Sequence, residues 1–344
     1  MSKIKVRLES GVGKVLEKFE VPTGHICIME GELGKRLEFL SIGDYGKEKN
    51  VKADFLGYTN EVNGVEHCDI LPLEEKWVIT ISSQYGCSMA CGFCDVPKVG
   101  VGINATFTDM VAQVLNAISL HPEVHHANRI NLHYARMGEP TWNKDVIDSA
   151  YWIGSVLKSS GWGFHPVVST MMPNNNKDLF AFLEGWLDLK DNFNGEAGLQ
   201  LSINTTDEII RKKTMPYSMS LKEISDMMCN ILSYRPIPLG RKITLNFALT
   251  NAEVDASKIR DLFSPRYFIC KLTPMHKTNA CVSSGLLTDG GYDHYYPYKK
   301  IEEELKKEGF GVIVFVPSKE EDNSRITCGN ALLADRRKNE ELSG

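Results

Sequence analysis

Short β-like runs alternate with longer amphipathic stretches from Trp77 onward, and this alternation restricts the possible folds more than any other feature of the chain. The β-like runs cover residues 77–83, 129–135, 165–170, 198–204, 242–250 and 267–274. The amphipathic stretches cover residues 108–120, 145–159, 177–189, 220–234 and 255–262, with Thr108, Ser220 and Asp255 as candidate N-caps. Strands that alternate with helices form parallel βα units, so the pattern predicts either a doubly wound sheet or an open barrel.

The positions of the polar and cysteine motifs favour the barrel. Active groups of a β/α barrel lie at the carboxyl ends of its strands, and the motifs described below follow predicted strands. We therefore expect an α/β fold of the partial (β/α)6 barrel type over residues 76–300. Residues 1–75 predict a small β-rich N-terminal appendage, because their short alternating segments are broken by glycines. Residues 301–344 predict a helix, a strand and a tail that carries Cys328 over the barrel mouth.

Three cysteines crowd into one glycine-flanked segment directly after the first of these strands. Cys87, Cys91 and Cys94 have C-x3-C-x2-C spacing, with the aromatic Phe93 before the last of them. Three thiolates on one tight loop can ligate three irons of a [4Fe–4S] cluster and leave the fourth iron open, unlike a four-cysteine ferredoxin site. Radical S-adenosylmethionine (SAM) enzymes use such an open iron to chelate the amino and carboxylate groups of SAM. The motif therefore predicts a [4Fe–4S] cluster and SAM as cofactors.

A zinc site and a set of buried core cysteines are the alternatives. Zinc would require a fourth Cys or His at a similar spacing, and none follows nearby. Core cysteines would not cluster on a glycine-rich loop. The spacing thus favours the cluster.

Polar residues at the ends of the next three strands are candidate SAM contacts. A Gly-Glu-Pro tripeptide ends the second strand and resembles the radical SAM element that binds the methionyl ammonium, although alone it is a common turn. Serine and asparagine side chains that end the third and fourth strands offer polar groups to a ribose or a carboxylate, although each alone would be an ordinary loop or strand-cap residue. Together with the aromatic residue of the cysteine segment, the predicted SAM contacts are Phe93, Gly138, Glu139, Ser169, Ser202 and Asn204.

Composition restricts the compartment and the partners. No apolar run approaches the ~20 residues of a membrane span, and the N-terminus shows no secretory signal. We therefore expect a cytoplasmic protein without a membrane partner. The net charge of −5 lacks the basic excess that is typical of proteins that bind nucleic-acid backbones.

Residues 77–331 resemble one branch of the radical SAM enzymes, the RlmN/Cfr family of RNA adenine methyltransferases. The similar segments are Ser82-Ser83-Gln84-Tyr85-Gly86-Cys87, Met137-Gly138-Glu139-Pro140 with Asn143, Leu201-Ser202-Ile203-Asn204 with Arg211 and Met215-Pro216, and Ile326-Thr327-Cys328-Gly329. The resemblance implies that Cys328 is methylated by one SAM. A second SAM would yield a 5′-deoxyadenosyl radical that takes a hydrogen from the S-methyl group, and the methylene would add to an adenine carbon. It also implies an electron donor such as flavodoxin or ferredoxin, and Glu66 loosely matches the proton acceptor of the family.

The chain departs from this family at three places. Thr80 replaces a second cysteine that breaks the protein–RNA adduct, and a hydroxyl forms no disulfide; Cys68 and Cys281 are candidate substitutes. The resemblance does not extend to the N-terminal helical RNA-binding domain of the family. His276 replaces an asparagine and is either a SAM contact or a loop histidine.

These residues together predict a radical SAM methyltransferase with Cys328 as S-methyl carrier. Its substrate would be an sp2 carbon of adenine in RNA, of a related nucleotide or of a small heteroaromatic molecule. The alternative is an enzyme on the same scaffold that directs the radical at a small molecule or peptide without methylating it. A third hypothesis is a catalytically idle cluster protein that binds RNA or a partner.

Overall fold

A single ten-stranded sheet organises the chain. The computed structural model describes residues 13–44, 71–237, 239–276, 278–286, 296–317, 324–326 and 331–333. The strands are β1 (Val15–Val21), β2 (Gly24–Glu30), β3 (Arg36–Ile42), β4 (Trp77–Ile81), β5 (Ile130–Tyr134), β6 (Phe164–Thr170), β7 (Gly198–Ser202), β8 (Ile243–Leu249), β9 (Phe268–Pro274) and β10 (Gly311–Val314). Their order in the sheet is their order in the sequence.

The direction of the strands changes once along the sheet. Strands β1 to β4 pair antiparallel with their neighbours. Strands β4 to β10 are all parallel, as βα units require. The prediction of an α/β fold with six parallel strands is confirmed, and β10 adds a seventh parallel strand beside β9. Residues 1–12 and 45–70 of the predicted N-terminal appendage lie outside the described residues.

Helices follow the parallel strands. They are α1 (Phe107–Ser119), α2 (Asp145–Ser159), α3 (Leu179–Asn192), α4 (Glu208–Thr214), α5 (Leu221–Ser233), α6 (Ala256–Leu262), α7 (Asn279–Ser284) and α8 (Tyr296–Lys307). Ser220 and Asp255 are N-caps, as predicted. The prediction of Thr108 as N-cap is wrong, because Thr106 and Asp109 form a reciprocal capping box that starts α1 one residue earlier than expected.

The sheet has two chemically different faces, since successive side chains of a strand point to opposite sides. The outer face packs against the helices: Tyr134 on β5 meets Trp186 on α3 edge-on at 6.1 Å between ring centroids. The alternate residues are partly exposed and form the inner face of the barrel. Asn131 and His133 on β5 lie on this inner face. The site described below lies where the inner face meets the carboxyl ends of the strands.

The segment after β9 contains the short helix α7, which begins after the N-cap Thr278. Residues 287–295 lie outside the described part of the chain. Within the described residues, no helix is both long and apolar enough to cross a membrane.

Candidate cluster and SAM site

The cysteine segment forms a loop that leaves β4 and is closed at its base by backbone hydrogen bonds. The amide of Tyr85 donates to the carbonyl of Ile103 at 2.8 Å, and the amide of Cys87 donates to the carbonyl of Gly100 at 3.1 Å. A Cβ atom on Gly86 would lie 2.2 Å from the carbonyl oxygen of Gly100, so the two arms approach too closely for any other residue. The three cysteines are therefore presented on a tightly closed loop.

Of the three thiols of this loop, Cys91 is buried and Cys87 and Cys94 are half-buried, and they act on one another electrostatically. Burial raises the pKa of Cys87 to about 11 and that of Cys94 to about 12. Burial also raises the pKa of Cys91 well above its usual value, with Cys94 and Cys87 as further causes. Three thiolates at this place therefore require a strong positive partner, such as the irons of a cluster.

Among the described residues, no group of three or more His, Cys, Asp or Glu side chains converges on one metal-ion position. In a [4Fe–4S] cluster each thiolate binds a different iron, so its ligands do not need to converge on one point.

Two segments that follow later strands of the sheet form hydrogen bonds with the loop that carries the three cysteines. The amide of Gly92 donates to the carbonyl of Thr214 at the end of α4, at 2.9 Å. The Thr278 hydroxyl donates to the carbonyl of Phe93 at 2.6 Å. The Asp95 carboxylate accepts from the amides of Asn279 and Ala280, the first residues of α7, each at 3.0 Å. The chain after β9 thus returns to the loop after β4.

The segment that carries Gly138 packs against Gln84 and forms a hydrogen bond with it, at the start of the loop that carries the three cysteines. Gly138 has φ +99°, and a Cβ atom there would lie 2.5 Å from Cβ of Gln84. The Gln84 side-chain oxygen accepts from the amide of Glu139 at 2.9 Å. Asn143 donates to the carbonyls of Ser83 and Ala105 at 2.8 and 2.7 Å. Asn143 therefore binds the two strand-end segments together.

Glu139 is buried, and its carboxylate joins the ends of β5 and β6. One oxygen accepts from the Thr141 and Thr170 hydroxyls at 2.8 and 2.7 Å, and the other accepts from the amide of Met171 at 2.8 Å. Burial raises its pKa, and these hydrogen bonds act in the opposite direction. The oxygen that binds Met171 accepts one hydrogen bond from the described residues, so it retains acceptor capacity for an ammonium group.

The predicted SAM contacts on the next strands differ in their surroundings. Ser169 accepts a hydrogen bond from Gln200 at 3.2 Å, which sets both on the inner face. Ser202 ends β7 on the same face. Asn204 has φ +63° and accepts from the amide of Ala248 at 3.1 Å, so its side chain ties β7 to β8. Asn204 therefore has a structural role beside the predicted one.

Of the remaining predicted residues, the structure describes some, and the others lie outside the described part of the chain. His276 is half-buried directly after β9, and its carbonyl accepts from the amide of Thr278. Thr80 lies on the inner face of β4, in register with His133. Cys328 and Glu66 lie outside the described residues, as does Cys68. Cys281 is buried on α7, with its amide bonded to Thr278.

Sequence reasoning missed a buried ion pair between Glu38 on β3 and Arg136, two residues after β5. Arg136 also donates to the carbonyls of Arg325 and Ile326 at 2.9 and 3.3 Å. Glu38 accepts from the amide of Ala331 at 2.8 Å. The pair therefore anchors both sides of the stretch 327–330, which contains Cys328. A lone glutamate inside the apolar run of β3 was the available signal.

Arg211 on α4, which belongs to the segments that resemble the RlmN/Cfr family, has a buried guanidinium. It donates to the carbonyls of Ile203 and Ser202 at 2.5 and 3.2 Å, and to that of Met219 at 3.1 Å. Burial lowers its pKa to about 10, while Glu208 and Cys91 act in the opposite direction. Arg211 therefore fixes the end of β7 and contributes positive charge near the thiols.

Comparison with known proteins points to one group of relatives. No protein-family model matches the chain. It is 30% identical over 206 residues to the dual-specificity RNA methyltransferase RlmN 2 of Myxococcus xanthus, covering 56% of this chain and 50% of that protein. It is 29% identical over 161 residues to the probable dual-specificity RNA methyltransferase RlmN 1 of Protochlamydia amoebophila, covering 45% and 40%. Over about half of its length the chain is therefore similar to RNA methyltransferases of the RlmN type.

The extent of the RlmN similarity is limited. The chain spans about half the length of the curated RlmN relatives that it matches. A solved structure extends the likeness of the fold: a radical SAM methyltransferase from Sphaerobacter thermophilus superposes with a TM-score of 0.61 at 16% identity, over 92% of this chain and 82% of that one. The chain therefore shares the fold of that protein over most of its length.

Proposed function

We propose that the protein is a radical SAM methyltransferase of the RlmN type. The observation that carries this proposal is the closed loop with three mutually interacting thiols, one buried and two half-buried, which is hydrogen-bonded to the Gly138–Glu139 turn. Cys87, Cys91 and Cys94 would hold a [4Fe–4S] cluster, which when bound supplies one electron to the sulfonium of SAM. Glu139, with an oxygen that can accept a further hydrogen bond, would orient the methionyl ammonium.

In this proposal Cys328 carries the methyl group. Its thiolate attacks the methyl carbon of one SAM, so that a C–S bond forms and S-adenosylhomocysteine leaves. The S-methyl group would then lose a hydrogen atom to the 5′-deoxyadenosyl radical from a second SAM, which becomes 5′-deoxyadenosine. The methylene radical would add to an sp2 carbon of the acceptor, so that a C–C bond forms, a π bond of the acceptor breaks and the unpaired electron passes to the adduct. The Glu38–Arg136 pair would position the segment that carries Cys328. Glu66 remains a candidate proton acceptor.

The proposed chemistry also requires an electron donor, a methyl acceptor and a reducing compartment. A flavodoxin or ferredoxin would deliver the electron. RNA as acceptor is suggested by the names of the relatives, but the net charge of −5 offers little attraction to a phosphate backbone. We infer a cytoplasmic protein, since oxygen-sensitive clusters and free thiols suit a reducing compartment.

Intact-mass analysis tests the methyl carrier. Protein reconstituted anaerobically with iron and sulfide and incubated with SAM should gain one CH2 unit on Cys328, and the gain should vanish in Cys328→Ala. Cys229→Ala is the matched control, because Cys229 is an exposed cysteine on α5, and it should keep the modification. An unmodified wild-type Cys328 in a preparation that still releases 5′-deoxyadenosine would refute methyl transfer.

Thr80 supports a second candidate function, in which the radical acts directly on a small molecule or peptide. Residue 80 lies on the inner face but has no thiol, so it cannot break a covalent enzyme–substrate adduct that forms in the methylating mechanism. If methyl transfer operates, the wild-type enzyme should accumulate an enzyme–substrate adduct that Thr80→Cys diminishes. Turnover with neither an adduct nor any effect of Thr80→Cys would favour the non-methylating reaction.

A further inference from the structure

Three polar side chains lie side by side on the inner face of neighbouring strands. Ser202 on β7 is in register with Asn246 on β8, and Asn246 is in register with Lys271 on β9. Adjacent strands are spaced ~4.8 Å apart, so the three side chains can reach one common ligand. We name these three residues the polar row.

The polar row has hydrogen-bonding capacity that the described residues do not use. The side-chain oxygen of Asn246 is buried and has no hydrogen-bond partner among the described residues. Lys271 forms no ion pair with a described carboxylate; its ammonium lies 5.1 Å from the ring centroid of Phe315. Burial and, to a smaller extent, the charge of Arg241 lower the pKa of Lys271 to about 8. A desolvated ammonium without a counter-charge is costly unless a ligand supplies one.

The proposed function limits which molecule can supply the negative charge beside Lys271. The open iron of the cluster would chelate the amino and carboxylate groups of SAM. The remainder of SAM is a sulfonium, a ribose and an adenine, and none of these is anionic. An anion beside Lys271 must therefore come from the acceptor.

The depth of the row indicates the size of that acceptor. Lys271 precedes Pro274, the last residue of β9, by three positions. Because a strand rises by ~3.3 Å per residue, the ammonium-bearing residue lies about 10 Å below the strand end. A terminal phosphate of a small molecule can enter to this depth, whereas the backbone of a long RNA is bulky and the chain has no net positive charge to attract it.

We infer that the polar row binds an anionic group of the acceptor, with Lys271 as its counter-charge, and that the acceptor is a small anionic molecule of nucleotide size. This inference rests on the proposed function for the location of SAM. Lys271 would hold the anion as a point charge, and the Ser202 hydroxyl would donate a charge-assisted hydrogen bond to it. The unused side-chain oxygen of Asn246 only accepts hydrogen bonds, so it would orient the acceptor molecule through a hydroxyl or amino group of that molecule.

Binding measured without turnover tests the inference on cluster-reconstituted protein. Calorimetry would compare adenosine 5′-monophosphate with adenosine, and inorganic phosphate would serve as a competitor. Since hydrogen bonds to charged groups are the strong ones, we expect the nucleotide to bind at least about tenfold tighter than the nucleoside. Lys271→Met should abolish this preference and leave SAM affinity unchanged, and Lys271→Gln provides a second variant. Lys299→Met, on the exposed face of α8, is the matched control.

Three results would overturn the inference. The wild-type protein could bind nucleotide and nucleoside alike, with no competition by phosphate. Lys271→Met could weaken SAM binding while leaving nucleotide binding intact, which would assign the row to the SAM carboxylate. A long adenine-containing RNA could bind with the same dependence on Lys271 and with higher affinity than the mononucleotide. Release of 5′-deoxyadenosine and methylation of Cys328, measured on the same preparation, report separately on the proposed function.

Discussion

Replacing Arg136 by methionine removes one partner of an ion pair that the structure buries almost completely. The side chains of Glu38 and Arg136 are 0% and 4% exposed. Glu38 also accepts hydrogen bonds from the amides of Ala331 and Leu332. Without Arg136, its buried carboxylate would keep these two hydrogen bonds but lose its counter-charge. Leaving a buried charge without its partner costs about 3–5 kcal/mol. We expect Arg136→Met to lower the free energy of unfolding by that amount.

Urea unfolding followed by circular dichroism would measure this loss on protein without a cluster. Glu38→Gln and the double variant complete a double-mutant cycle, which isolates the interaction between the two side chains. The surface pair of Arg36 and Glu17 is the matched control, because its side chains are 47% and 28% exposed. Breaking that pair should cost about 0–1 kcal/mol. A coupling energy for the buried pair within this surface range would refute the reasoning.

The same variants should also affect the proposed methyl carrier. Arg136 and Glu38 hold residues on both sides of the stretch 327–330. We expect Arg136→Met to slow methylation of Cys328 at a temperature at which the variant is still folded, while the Arg36→Met control keeps the wild-type rate. An unchanged rate would show that the pair stabilises the fold without positioning this segment.

Three further outcomes are expected. Gly138→Ala should destabilise the protein by about 1–3 kcal/mol in urea unfolding, because its φ of +99° is strained for alanine and the new Cβ atom would meet Gln84; an unchanged midpoint would contradict this geometry. Ser220→Ala should cost about 1 kcal/mol through loss of the α5 capping box, and a loss below a few tenths would show that the cap is dispensable. The affinity for adenosine 5′-monophosphate should fall as pH rises through the pKa of Lys271 at about 8, while Arg241 stays protonated; a flat profile from pH 7 to about 10 would exclude Lys271 as the counter-charge.

Local patterns in the sequence were sufficient to predict the elements of the barrel. The predicted strands and helices agree with the structure to within a few residues, because alternation and helical periodicity are properties of consecutive residues. The N-cap Ser220 was predictable since its capping partner lies three residues away. Thr108 was predicted wrongly because the apolar pattern of α1 was read without the Thr106–Asp109 box that starts the helix.

The cysteine loop and the Gly138–Glu139 turn could be proposed from local motifs, since their chemistry is carried by residues close together in the chain. The partners of residues that are far apart follow only from the folded arrangement. Glu38 and Ala331 are separated by 293 positions, and Lys271 meets Asn246 and Ser202 only through the register of three strands. Such neighbours are set by how the sheet is assembled, which no local pattern of one sequence records.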